Sequence, residues 1–126
     1  MSVSVLIIDD NPINLKLACD VLSGEGFSVE RAQDAEQAQL ILERMLPDLI
    51  LMDIAMPGTD GLTLTRRLKA DARFSHIPIV ALTASAMKGD DRKALAAGCA
   101  GYVTKPIDTR EFARRVRALL RSDSQR

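Results

Sequence analysis

The chain has 126 residues, of which 47% are hydrophobic and 27% are charged, values typical of one soluble globular domain. Lysine and arginine together number 17, as do aspartate and glutamate, so no overall charge draws the chain to nucleic acid or to an anionic membrane. The apolar runs are shorter than the roughly 20 residues that a membrane-spanning helix needs. We expect a single domain over residues 1–126, with a core from about 3 to 120 and a short C-terminal tail.

Short apolar runs alternate with helical patterns along the whole chain. The first run covers residues 3–8 and ends at Asp9 and Asp10. Asn11 and Pro12 then open a helix, because Asn is a good N-cap and Pro is favoured at the first helical position. Helical spacing predicts three inward-facing residues, and two glycines follow as a stop signal: Leu15, Ala18, Leu22, Gly24 and Gly26.

Four further strands are predicted, the first of them weaker, and a helical pattern follows each: residues 27–32, 48–52, 77–82 and 100–104. The helix after the fourth strand is predicted over residues 85–97, with Gly98 as its stop. Runs 1, 3 and 4 are continuously apolar, which is typical of strands buried on both faces of a parallel sheet. We therefore predict a doubly wound, flavodoxin-like α/β fold with strand order 2-1-3-4-5 and a site at the carboxyl ends of the strands.

Polar residues stand at four of these strand ends. Asp9 and Asp10 follow strand 1, Asp53 follows strand 3, Thr83 ends strand 4 and Lys105 follows strand 5. Clustered carboxylates repel one another, and a divalent cation with oxygen ligands, such as Mg²⁺, relieves that repulsion. A carboxylate nucleophile, a metal and a lysine together are what phosphoryl transfer to an aspartate requires.

These residues resemble the receiver domains of response regulators, a resemblance that covers about residues 3–120. The matching positions are Asp9–Asp10, Asp53, Met56–Pro57 with Gly61, Thr83–Ala84 and Lys105–Pro106. Residues 10–14 and 86–90 are also similar to the receivers of hybrid kinases and to stand-alone receivers of the DivK type.

The resemblance implies a role for each site residue. Asp53 would be the phosphorylation site, with a histidine kinase or histidine phosphotransfer protein as phosphodonor. Mg²⁺ would be bound by Asp10, Asp53 and the carbonyl of Ala55, and by Asp9 through water. Lys105 would contact a phosphoryl oxygen.

The resemblance also implies a conformational switch. Thr83 would move to a phosphoryl oxygen, and Tyr102 would turn inward as it does so. The expected output is altered binding of a downstream protein, by a monomer or weak homodimer that turns over no external substrate. We expect no binding to nucleic acid or to membranes.

The two cysteines, Cys19 and Cys99, and the N-terminal residues indicate the cellular compartment of the protein. Residues 1–4 carry no positive side chain and run into an apolar stretch, unlike a secretory signal. Two thiols in such a chain do not suggest a disulfide framework, and we expect both to be small buried side chains. The sequence therefore favours the cytoplasm.

Four other functions fit these residues less well. An aspartate-nucleophile phosphatase usually has a second Asp where this chain has Ala55. A flavodoxin-like cofactor carrier would need a phosphate-cradling loop after strand 1 instead of an acidic pair. A pseudo-receiver would not need the intact acidic site. An adaptor for cyclic di-GMP would use the arginines of the last helix, at positions 110, 114, 117 and 121. The single histidine, His76, is expected at the surface.

Overall fold

The five predicted strands form one parallel sheet in a computed structural model of the chain. The structure describes residues 3–54, 61–83, 90–104 and 110–124, with the backbone alone at 83, 90, 91, 104 and 121–124. The strand order is β2-β1-β3-β4-β5, as predicted. The strands are β1 (Ser4–Ile8), β2 (Ser28–Ala32), β3 (Leu49–Asp53), β4 (Ile79–Thr83) and β5 (Gly101–Thr104).

Helices cover both faces of the sheet, so the fold is doubly wound. They are α1 (Pro12–Gly24), α2 (Ala35–Arg44), α3 (Gly61–Ala70), α4 (Asp90–Ala97) and α5 (Phe112–Ser124). Buried residues of α1 and α5 form one hydrophobic cluster with the sheet, and those of α2, α3 and α4 form the other. The central strands β1 and β3 bury every apolar side chain from Val5 to Ile8 and from Leu49 to Met52, which explains their continuous apolar runs. No helix among the described residues is both long and apolar enough to cross a bilayer.

Glycines end two of the helices, as the sequence predicts. Gly26 follows α1 with φ +93°, and Gly98 follows α4 with φ +112°. In each case the glycine N–H and the next residue's N–H donate back to the last turn, as the bonds from Phe27 to Leu22 and from Cys99 to Ala94 illustrate. This is the Schellman arrangement, which requires a left-handed residue and therefore favours glycine.

The predicted boundaries differ from the observed ones by one or two residues. Strand β4 begins at Ile79 rather than at Ile77, because Pro78 has no N–H to contribute to the ladder. For the predicted helix over 85–97, the described part begins at Asp90, and residues 84–89 lie outside the described residues.

The two cysteines have different environments. Cys99 is buried as predicted, and burial raises the pKa of its thiol, against smaller lowering effects from Thr65 and Lys69. A buried thiol with a raised pKa is unreactive at neutral pH. The prediction that Cys19 is buried was wrong: it is only partly buried, because it lies beside the α1 stripe of Leu15, Ala18 and Leu22 rather than on it.

Candidate metal and phosphorylation site

The carboxyl ends of β1 and β3 bring two aspartates side by side. Ile8 is paired in register with Met52, so the next residues along the two strands, Asp9 and Asp53, are neighbours at the edge of the sheet. Each aspartate is also held by the strand on its other side. The N–H of Asp9 donates to the carbonyl of Ala32, at the end of β2, at 3.1 Å. Asp53 is paired with Leu82 of β4, so its position is set by the sheet itself.

Asp9, Asp10 and Asp53 form one acidic cluster, as the sequence predicts. Each offers a carboxylate oxygen, and these oxygens lie within 4.8 Å of one another. Asp9 is 1% and Asp53 4% exposed, whereas Asp10 is exposed. Two unit charges 4.8 Å apart repel by about 1 kcal/mol in water and by about 3 kcal/mol at an effective dielectric constant near 20. The folded chain therefore brings together charges that favour a bound cation.

The chemistry of this donor set fits a hard divalent cation. All three side chains offer carboxylate oxygens, and among the residues that the structure describes no nitrogen or sulfur ligand belongs to the cluster. Mg²⁺ prefers such oxygens and keeps several waters when one or two carboxylates bind it directly. Because Asp10 lies at the surface, the cluster is open to solvent on one side, where waters and a phosphoryl group can enter.

Asp9 also has a structural contact that sequence analysis missed. Its Oδ1 accepts a hydrogen bond from the N–H of Asn11 at 2.9 Å. Asn11 is in turn the N-cap of α1, since its Oδ1 accepts from Ile13 N–H at 2.9 Å and Asn14 N–H at 3.3 Å. Asp9 therefore links the acidic cluster to the start of α1. The short spacing between Asp9 and Asn11 was the available signal, because Asp commonly accepts from a backbone N–H two residues on.

Gly61, the first residue of α3, packs directly against the backbone of Asp53. A Cβ built on Gly61 would lie 2.7 Å from Ile54 Cα and 2.9 Å from the carbonyl carbon of Asp53, and closer still to that carbonyl's oxygen. The buried hydroxyl of Thr65 donates to the carbonyl of Gly61 at 2.7 Å, which ties this first turn together. Helix α3 can approach the acidic cluster this closely only because position 61 has no side chain.

The structure describes some of the other predicted site residues and not the rest. Thr83 ends β4 and its backbone is paired with Thr104 at the end of β5, so both strands end at the same edge as the acidic cluster. Tyr102, on β5, is partly buried against the cluster formed with α2, α3 and α4. Ala55 and Lys105 lie outside the described residues, as do Met56, Pro57, Ala84 and Pro106 of the matching motifs.

Two arginines of α5 contact other parts of the chain. Arg117 donates to the carbonyl of Glu25 at 3.0 Å and to its carboxylate at 3.2 Å, and its guanidinium lies 5.3 Å from the centre of the Phe27 ring. Arg115 contacts Tyr102. Arg117 is one of the four arginines of the predicted pattern, and Arg115 is not. His76 is exposed as predicted.

Comparison with known sequences identifies the relatives of this chain. The family model of the response regulator receiver domain matches residues 5–117. The chain is 39% identical over 120 residues to the polar-differentiation response regulator DivK of Brucella ovis, a match that covers 95% of this chain and 98% of that protein.

Solved structures with the same fold lead to the same family. The receiver domain of the sensor histidine kinase PA1611 from Pseudomonas aeruginosa, solved with a magnesium ion coordinated in its active site cleft, is 34% identical with a TM-score of 0.86, covering 95% of this chain and 98% of that one. A two-component response regulator from Clostridium difficile is 28% identical with a TM-score of 0.86, covering 95% and 97%. Since the family model and the DivK match each span nearly the whole sequence, the chain belongs to the response regulator receiver domain family of two-component signalling.

Proposed function

We propose that Asp53 accepts a phosphoryl group with the help of Mg²⁺ and that this modification changes the binding of a downstream protein. The observation that carries the proposal is the acidic cluster of Asp9, Asp10 and Asp53 at the carboxyl edge of the sheet. The magnesium ion in the cleft of the PA1611 receiver domain supports the same choice of metal.

The chemistry follows from the carboxylate of Asp53. One of its oxygens attacks the phosphorus of a phosphohistidine, the P–N bond breaks, and the imidazole leaves with a proton taken from solvent. The product is an acyl phosphate on Asp53, and no general base is needed because a carboxylate nucleophile has no proton to lose when it attacks. Bound Mg²⁺ would supply charge neutralisation for the entering phosphoryl oxygens.

We assign the remaining roles as the family resemblance implies. Asp10, Asp53 and the carbonyl of Ala55 would bind the metal directly, with Asp9 acting through water. Lys105 and Thr83 would contact phosphoryl oxygens after transfer. Tyr102 would change orientation together with Thr83.

The phosphodonor is a histidine kinase or a histidine phosphotransfer protein in this proposal. Membership of the response regulator receiver domain family supports a protein donor of this kind. The chain would then act as a phosphorylation-controlled binding partner in the cytoplasm and would turn over no external substrate.

The two alternative functions have less support. A pseudo-receiver has no use for three carboxylates held within 4.8 Å of one another, because their repulsion destabilises the fold without a cation. An adaptor for cyclic di-GMP would use the arginines at positions 110, 114, 117 and 121, and one of these, Arg117, already binds Glu25.

Phosphorylation by acetyl phosphate tests the proposal. The wild-type mass should rise by one phosphoryl group when Mg²⁺ is present and stay unchanged in EDTA. Asp10→Asn should need at least about tenfold more Mg²⁺ for the same rate, because it removes a charged ligand. Asp20→Asn, which neutralises another exposed carboxylate on α1, is the matched control and should behave like wild type. A wild-type rate that is the same in Mg²⁺ and in EDTA would contradict the proposal.

A further inference from the structure

Arg115 of α5 contacts both the backbone and the ring of Tyr102. Its Nε donates to the carbonyl oxygen of Tyr102 at 3.1 Å. Its guanidinium carbon lies 5.8 Å from the centre of the Tyr102 ring, within the range in which a cation is attracted to an aromatic ring. One arginine therefore binds two parts of the residue to which the proposed function assigns the switch.

The position of Arg115 is set by a firmly packed helix. Its neighbours Phe112 and Val116 are 2% and 0% exposed in the cluster between α5 and the sheet. Arg115 itself is exposed, whereas Tyr102 is partly buried against the cluster formed with α2, α3 and α4. The hydrogen bond to the backbone carbonyl holds the guanidinium in place whichever way the ring points, whereas the contact with the ring depends on the ring's orientation.

We infer that Arg115 is a positioning residue that holds the Tyr102 ring in the orientation of this structure and so opposes its inward turn. The inference rests on the proposed function, in which the ring turns inward when the phosphoryl group binds. Because the guanidinium of this exposed arginine contacts the ring in its present orientation, an inward turn of the ring would lose that contact. Arg115 therefore opposes switching, and its removal should make the switch easier.

The size of the effect follows from the strength of such contacts. A cation over an aromatic ring at an exposed site shifts an equilibrium by about two- to fivefold. Any ligand that binds the switched state gains apparent affinity in proportion to the population of that state. Beryllofluoride, which mimics a phosphoryl group on a carboxylate, should therefore bind about two- to fivefold more tightly when the ring contact is absent.

Intrinsic fluorescence gives a direct readout, since the chain has one tyrosine and no tryptophan. We would titrate beryllofluoride at saturating Mg²⁺ and follow Tyr102 emission in wild type, Arg115→Met and Arg115→Lys. Arg114→Met is the matched control, because Arg114 is an exposed arginine on the same helix for which no contact is seen among the described residues. Urea unfolding of each variant checks that it is folded.

The expected order of beryllofluoride affinity is Arg115→Met tightest, Arg115→Lys intermediate, and wild type equal to Arg114→Met. Lysine keeps the positive charge but not the planar donor group, so it should restore part of the ring contact. A folded Arg115→Met that binds beryllofluoride no more tightly than wild type overturns the assignment, even if its stability is lower. No emission change in wild type would instead contradict the proposed function itself, and the switching role of Arg115 with it.

Discussion

Asp53→Asn is expected to abolish phosphorylation by acetyl phosphate while leaving the fold intact. The carboxamide is nearly the same shape as the carboxylate but is a far weaker nucleophile, so no acyl phosphate can form. Asp53 is 4% exposed and follows a fully buried run of β3. The packed surroundings therefore constrain the shape of this side chain, and asparagine keeps that shape. Intact mass spectrometry after incubation with Mg²⁺ measures the loss.

Asp48→Asn provides the matched control for this prediction. Asp48 directly precedes the same strand at its opposite end, and its Oδ2 accepts a hydrogen bond from Ser4 N–H at 2.8 Å. Asparagine can keep that bond through its carbonyl oxygen, and this carboxylate lies far from the acidic cluster. Asp48→Asn should therefore be phosphorylated as wild type is. Undiminished phosphorylation of Asp53→Asn would show that another residue is the acceptor.

Gly61→Ala is expected to damage both stability and phosphorylation. The added methyl group would overlap the carbonyl group of Asp53 and Ile54 Cα, and these are backbone atoms that cannot rotate aside. Forcing atoms into a packed site costs about 1–3 kcal/mol. The same shift moves Asp53, and a displacement of about 1 Å in reacting groups slows a reaction up to about 100-fold.

Gly24→Ala separates this packing effect from the general effect of adding a methyl group to a helical glycine. Gly24 is in the last turn of α1, and a Cβ built there meets nothing within 4 Å. Gly24→Ala should therefore be neutral or more stable by up to about 1 kcal/mol, with wild-type phosphorylation. Urea unfolding and the acetyl phosphate rate measure both effects. Equal behaviour of the two variants would contradict the close approach of α3 to Asp53.

Much of the fold is predictable because its signals are local. The continuous apolar runs of β1 and β3 indicate burial on both faces, and two helix ends follow from Gly26 and Gly98. Once the sheet is parallel, strand ends must share an edge, which is why the neighbouring positions of Asp9 and Asp53 are predictable from the sequence alone.

Other features depend on tertiary contacts that no local pattern contains. In the sequence, Gly61 is only one position of a family motif. The packing of α3 on Asp53 shows why no side chain fits at this position. The contact of Arg115 with Tyr102 joins residues 13 positions apart on different elements. A helical arginine pattern alone reads as a solvated face, and it carries no sign of which arginine meets a ring.

The acidic cluster itself was predicted in full, but its surroundings were not. Asp9, Asp10 and Asp53 come together as expected. The bond from Asn11 N–H to Asp9 adds a structural role to a residue predicted only as a metal ligand. Ala55 and Lys105 lie outside the described residues, so their roles stay predictions.

Chemical mapping of the phosphorylated residue tests the central claim most directly. Borohydride reduces an aspartyl phosphate to homoserine, and peptide masses then locate the modified position. After incubation of the wild-type protein with acetyl phosphate and Mg²⁺, the account predicts homoserine at the position of Asp53 and at neither Asp9 nor Asp10. Reduction at either of those two aspartates, or no reduced aspartate at all, would contradict the account.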